Sequence, residues 1–215
     1  EKFSKFLDFI SKDNTKGSLF IMGDLFDYYF EYKNQTSSDY EKIFTKIEGI
    51  KDKGFKIYFI AGNHDYWIGD YFKKYTTKTF LDDTSIDYKN NRIYVTHGDG
   101  ILSWDNSYRL LKRVLRSNIF IKMYSLLPKN IALKIAKKIS HERKDSHYLD
   151  QEKINRIHDE LDSFAQQKID GGFKYVIMGH YHHLYQKKLN NGELILLGEC
   201  NEDNYNYVMF DGDKL

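Results

Sequence analysis

With 215 residues, 41% of them hydrophobic and 30% charged, the chain has the size and make-up of one well-packed domain with room for an insertion, which excludes a disordered polymer and leaves no comfortable room for two cores. No apolar run approaches the roughly 20 residues that a membrane-crossing helix requires. The net charge of +2 says nothing about partners by itself, because only the distribution of charge does. The lone Cys200 cannot close an internal disulfide and fits a reducing cytosol, and no signal peptide is expected.

Taken in order, Lys2 to Ile10 places Phe3, Phe6, Leu7 and Ile10 on one side of an amphipathic helix. Leu19 to Met22 is a short apolar run that ends in Gly23-Asp24. A second helix is predicted from Asp39 to Lys53, with Tyr40, Ile43, Phe44, Ile47 and Ile50 inside and Gly54 as its stop. Lys56 to Ala61 is the next strand, and it runs into Gly62-Asn63-His64-Asp65. Helix then strand, twice over, reads as βαβ units. Phe80-Leu81, Ile86 to Tyr88 and Arg92 to Thr96 read as short strands with a hairpin turn at Asn90-Asn91, and the last of them ends in His97-Gly98-Asp99. From Ile101 to Gln167 strand signals vanish in favour of helix, and after it Tyr175 to Met178 runs into Gly179-His180-Tyr181-His182. Leu194 to Leu197 and Tyr205 to Phe210 are the closing strands. The expected divisions are therefore a core at 1–100, a helical lid at 101–167 and the rest of the core at 168–215.

Four strands rich in β-branched and aromatic residues thus each end in Gly or His with a metal-type ligand beside it. Strands of this composition are buried on both faces, and open α/β sheets bind their ligands outside the carboxyl ends of the strands. One site built from four loops follows. Asp24 comes after a glycine that lets the backbone approach closely, Asn63 is a neutral oxygen donor, and His97, His180 and His182 supply imidazole nitrogen. Taken singly, each has an ordinary reading as a turn or core residue; together they point to a metal site. A nitrogen and oxygen set without thiolate suits manganese, zinc or iron and argues against copper(I) or an iron–sulfur cluster. His64 with Asp65 next to it is the pattern of an imidazole oriented by a carboxylate, which makes the two the candidate catalytic pair. His141, His147, His158 and His183 carry no such context.

The insertion is where the positive charge collects. Between Arg109 and Lys144 Lys and Arg recur against a single acid, Glu142, interleaved with Leu110, Leu111, Val114, Leu115, Ile119, Phe120, Met123 and Leu126. Two readings stand side by side: a lid whose lysines are merely solvated, or a surface for an anionic lipid or membrane.

The blocks Gly23-Asp24, Gly62-Asn63-His64-Asp65, His97-Gly98-Asp99 and Gly179-His180-Tyr181-His182, in this order and at these separations, resemble the calcineurin-like metallophosphoesterases across nearly the whole chain. Within that superfamily, Gly23 to Asp27 followed by Tyr28 to Lys33, and Thr96 to Gly100 leading into a helical insertion, resemble the UDP-2,3-diacylglucosamine pyrophosphohydrolases of lipid A synthesis. Some of those have Arg where this chain has His64. The resemblance implies an α/β fold, a two-layer β-sandwich flanked by helices with an inserted helical lid, and two divalent metals, manganese foremost, bridged by Asp24. One ion would take Asp24, Asn63, His97 and His180; the other would take Asp24 and His182 with an Asp-x-His block ahead of the first helix. That block is not within the sequence given, and the expectation is that it lies outside it, a shortened protein being the alternative.

The same resemblance implies release of UMP and an acylated sugar phosphate from a UDP-linked glycolipid, with His64 assisting at the phosphoryl or leaving oxygen. It also implies a cytoplasmic protein held weakly at the anionic inner membrane surface, with neither nucleic acid nor a protein partner. Arg109, Arg113, Arg143 and Lys144 are the candidate phosphate-binding residues in the lid. Two other functions stay open: a phosphoesterase of the same core acting on soluble diesters, nucleotides or phosphoproteins, and a metal-poor scaffold without activity. Against the scaffold stands the cost of burying so many polar ligands with nothing to bind.

Overall fold

The computed structural model describes residues 2–12, 16–31, 40–128, 131–132, 134–135, 150–200 and 205–211. Among these residues eight strands form two sheets. β1 (Ser18–Ile21), β2 (Lys56–Ile60) and β3 (Lys78–Phe80) make a parallel sheet in that order. The second sheet has the order β4 (Thr84–Tyr88), β5 (Asn91–Thr96), β6 (Tyr175–Met178), β8 (Gly192–Leu196), β7 (Tyr185–Leu189). Its three central strands are parallel and its two edges antiparallel. The β4–β5 hairpin turns through Lys89 and Asn90, both at positive φ (44° and 64°), the conformation that matches the strand twist in a two-residue loop.

Side-chain alternation explains the layering. Ile57 and Phe59 of β2 face α1 (Lys2–Ile10) and α2 (Glu41–Asp52), in a core with Phe6, Leu7, Phe44, Ile47 and Ile50. Ile60 on the other face meets Ile93, Val95, Tyr175 and Ile195 of the second sheet, with Phe20 and Met22 packed alongside. The outer face of the second sheet, Val176, Met178, Leu194 and Leu196, is covered by the helix at Gln151–Asp170. The result is two sheets face to face with helices outside both, which is why the strands read as nearly continuous apolar runs.

Short helices fill the rest: α3 (Asp70–Lys73), α4 (Asn106–Leu115) and α5 (Asn118–Ser125), after which the Gln151–Asp170 helix is α6. Although α6 falls inside the sequence span expected to be lid, it presents Ile157, Leu161, Ala165 and Ile169 to the sheet at helical spacing. Asp162, Tyr185 and Lys187 tie α6 to β7, with the His158 and Tyr185 rings stacked at 3.9 Å. Tyr205 to Phe210, expected as a strand, carries no ladder among the described residues. Rings hold it instead: Tyr205 lies on Phe6 at 5.5 Å and Phe210 on Tyr175 at 5.5 Å.

Candidate active site

The carboxyl ends of β1, β2, β5 and β6 meet at one point. His97 Nδ1 lies 2.7 Å from the Met22 carbonyl, and the Gly179 amide donates to the His97 carbonyl at 3.1 Å, so the loops after β1, β5 and β6 are bonded to one another. Two glycines permit the closeness: a side chain at Gly23 (φ 84°) would come within 2.6 Å of the Gly62 amide, and one at Gly62 within 2.5 Å of the Asp24 amide. Asp24, His180 and His182 sit at positive φ (51°, 70° and 59°), each costing of order 1–3 kcal/mol that the surrounding loops must over-determine. Strain of this kind, on three of the residues expected to bind metal, marks a functional region.

Ligand atoms of Asp24, His97 and His180 lie within 4.8 Å of one another. His97 Nε2 is 3.2 Å from Asp24 Oδ2 and 3.2 Å from Asn63 Oδ1. With His97 Nδ1–H donating to the Met22 carbonyl, Nε2 carries the lone pair of the neutral ring, and three acceptors face one another around the buried His97 ring. Such a set needs either a proton or a cation at its centre, and a divalent ion fits its nitrogen and oxygen chemistry. With the protein's own groups alone, burial opposes charge on His97, yet the Asp24 carboxylate wins and pushes the imidazole up to about 9. Asp24 is in turn held well below the usual carboxylate range: burial would raise it, but the charge and hydrogen bond of His97, together with those of His64, outweigh burial. His180 is pushed down to about 3 by burial, and next by charge on His97. His182, expected at the second ion, is exposed and outside the close set, though near enough for its charge to act on His180.

Asp65 departs from the expectation that it orients His64. Fully buried, it accepts the backbone N–H groups of Leu25 (2.7 Å), Gly62 (2.8 Å) and Asp24 (3.1 Å), and so staples the turns after β1 and β2 together. Burial, and next the neighbouring Asp24 charge, push it up to about 6. His64 is placed differently, with Nδ1 against the Asp27 carbonyl at 2.8 Å and its backbone N–H on Asp24 Oδ1 at 2.9 Å. Successive side chains on a turn point apart, so adjacency in sequence did not mean contact.

The chain matches the calcineurin-like phosphoesterase family over residues 1–184. It belongs to that family. The chain is similar to proteins named UDP-2,3-diacylglucosamine hydrolase: 27% identical to that of Neisseria meningitidis serogroup B over 91% of this chain and 81% of the relative. It is 28% identical to that of Haemophilus influenzae (strain PittGG) over 96% and 86%. Among solved structures, an archaeal phosphodiesterase aligns over 93% of this chain and 76% of its own at 14% identity and a TM-score of 0.45. The family is one of metal-dependent phosphoesterases, which accords with the acceptor cluster at the strand ends. No helix among the described residues is long and apolar enough to cross a membrane.

Next to this metallophosphoesterase centre lie two clefts. One, about 100 Å³, is lined by Asn63, His64 and the aromatic side chains of Tyr28, Tyr66, Trp67, Tyr108, Phe120 and Tyr124. The other, about 190 Å³, is mixed in character and touches His97 with Asp82, Asp83 and Asp99 alongside Ile60, Ala61 and Leu81. Lys112 and Arg116 line both. Of the four basic residues expected to meet phosphate, Arg143 and Lys144 lie outside the described residues, and Arg109 and Arg113 are exposed and line neither cleft. Arg109 bonds instead to the Ser103 carbonyl just ahead of α4 and to Asn106 in the first turn of its own helix. The inward stripe of α4 is Tyr108, Lys112, Leu115 and Arg116, one turn apart, whereas Arg109 and Arg113 fall on the neighbouring stripe.

The anchor of that stripe is Asp99, two residues beyond His97. It is buried and pairs with Lys112 (3.0 Å), Arg116 (3.1 Å) and the Tyr108 hydroxyl (2.7 Å), all on or just beyond α4. Burial alone would raise its carboxyl, but Arg116 foremost, with His97 and Lys112, holds it low. α5 packs Phe120 and the buried Tyr124 against Trp67 and Phe30, while Leu110, Ile119, Met123 and Leu126 stay exposed.

Proposed function

We propose that the protein hydrolyses the pyrophosphate bond of UDP-2,3-diacylglucosamine, releasing UMP and 2,3-diacylglucosamine 1-phosphate. The observation that carries this reading is the aromatic-lined cleft that opens beside Asn63 and His64, an apolar trough next to the metal ligands and roofed by the basic insertion. The names of the curated relatives agree with it.

Asp24, Asn63, His97 and His180 would hold one divalent ion, and Asp24 with His182 would contribute to a second; manganese suits the set best, with zinc or iron as substitutes. Ions so bound supply positive charge that activates water and neutralises the phosphoryl oxygens. The chain's own residues do the rest. Asp24 keeps its Oδ2 for a cation because Oδ1 is taken by the His64 amide. His64, with Nδ1 fixed on the Asp27 carbonyl, has Nε2 for a phosphoryl oxygen or the departing oxygen. The apolar walls of Trp67, Phe120 and Tyr124 exclude water and receive acyl chains. The exposed apolar residues of α4 and α5, beside the exposed Arg113 and Lys122, would rest at an anionic membrane surface, where a glycolipid substrate resides.

Mass-spectrometric identification of products from a panel of UDP-linked lipids, free nucleotides and simple phosphodiesters tests the reading. UMP released only from the acylated sugar nucleotide is the expected result. Turnover of soluble diesters with no preference for the lipid would overturn it.

A further inference from the structure

The two clefts share a ridge of lining residues, Lys112 and Arg116, and one cleft reaches His97 while the other reaches Asn63 and His64. A molecule that reaches both clefts therefore meets these two cations from either. Both are anchored by Asp99. Lys112 Nζ meets the Asp99 carboxylate at 3.0 Å and the Asp99 carbonyl at 2.7 Å, and the Arg116 guanidinium meets the same carboxylate through Nη2 at 3.1 Å. The guanidinium is also stacked on Tyr66, 4.1 Å from the ring centre, which fixes its plane. Among the described residues its second amino nitrogen, Nη1, faces only Asp82, at 3.6 Å. Asp82 is 82% exposed at its side chain while Arg116 is 14% exposed, so the partner of Nη1 is a solvated carboxylate that another anion can replace.

We infer that Lys112 and Arg116 form a binding site for the non-reacting phosphate of a diphosphate ester, with Asp82 giving up Arg116 Nη1 when that phosphate arrives. This rests on the proposed pyrophosphohydrolase reading and extends it: the metal centre takes the phosphate that is attacked, and the ridge takes its neighbour. The chemistry suits the task. A guanidinium held flat by Tyr66 and Asp99 offers a preorganised donor edge to phosphate oxygens, and the Lys112 ammonium adds a point charge beside it. Asp99 is then a positioning residue, since it touches neither phosphate and acts through the two cations. No covalent step is added; one ion pair, Arg116 with Asp82, is exchanged for another.

Binding of inorganic pyrophosphate, measured by titration calorimetry on protein dialysed free of unbound metal and matched for bound metal content, tests the inference without turnover. Arg116→Gln and Lys112→Gln should each weaken pyrophosphate binding about tenfold or more, the loss of one charge-assisted hydrogen bond. Lys153→Gln, on exposed α6 surface, should leave it unchanged. Because Arg116→Gln also strips a partner from buried Asp99, the double variant Asp99→Asn, Arg116→Gln restores a neutral pair. If Arg116 serves only as the counter-ion of Asp99, the double variant recovers pyrophosphate binding and the inference is overturned; continued weak binding supports it. In steady-state assays on a diphosphate diester, Arg116→Lys should raise KM more than it lowers kcat. Failure of the wild type to turn over any UDP-lipid would sink the substrate reading while leaving the pyrophosphate result to be judged alone.

Discussion

Replacing Asp65 by alanine separates a structural from a catalytic role. The carboxylate accepts three backbone N–H groups, from Leu25, Gly62 and Asp24, at 2.7, 2.8 and 3.1 Å, in a fully buried setting. Leaving a buried donor without an acceptor costs about 1–3 kcal/mol. Relief of the burial that pushes the carboxyl up to about 6 offsets part of this, and water entering the space offsets more. A net destabilisation of about 3–5 kcal/mol follows, or roughly 10 °C in melting temperature for a chain of this size. The measurement is urea unfolding of metal-free wild type, Asp65→Ala and His64→Ala, so that metal linkage does not enter. His64→Ala should stay within about 1 kcal/mol of wild type, because its backbone bond to Asp24 survives the change. Equal stability of Asp65→Ala and wild type, with activity lost, would refute the staple and restore Asp65 to the chemistry.

His97→Ala should abolish tight metal binding, as read by elemental analysis, because it removes the nitrogen facing both Asp24 and Asn63. Chelation of the wild type should lower its stability by about 2.7 kcal/mol relative to protein in metal at a hundred times the dissociation constant, seen as a fall in melting temperature. His64→Ala should keep its metals and lose roughly a hundredfold in rate; full activity would remove it from the mechanism. Binding to anionic vesicles should weaken with salt, at about 1 kcal/mol per Lys or Arg near the surface, as sedimentation with and without high salt would show. Salt-independent binding would instead implicate the exposed Leu110, Ile119, Met123 and Leu126 alone.

What could be read from the sequence and what could not divides along physical lines. Strands buried on both faces announce themselves as apolar runs, so Leu19 to Met22, Lys56 to Ala61 and Tyr175 to Met178 were readable, and with them the converging Asp24, Asn63, His97 and His180. The partner of a side chain on a turn is not readable in this way: Asp65 follows His64 in sequence but bonds across the site to the β1 loop. Charge along α4 was visible as a run, yet which lysines and arginines face inward depends on helix phase, set here by Tyr108 and Asp99, and that picked Lys112 and Arg116 over Arg109 and Arg113. The i, i+4, i+8 repeat of Tyr108, Lys112 and Arg116 was the available signal. Glu31, which accepts from the Tyr71 and Phe72 amides at the start of α3, carried no local signal, since its partners lie forty residues away.

Four strand ends of this phosphoesterase should build one cation site. Crystals grown with manganese, with diffraction collected on both sides of the manganese absorption edge, test it most directly. The expected result is an anomalous peak coordinated by Asp24, Asn63, His97 and His180. A metal bound elsewhere, with His97 still bonded to Asp24 and Asn63 as an imidazolium, would contradict it.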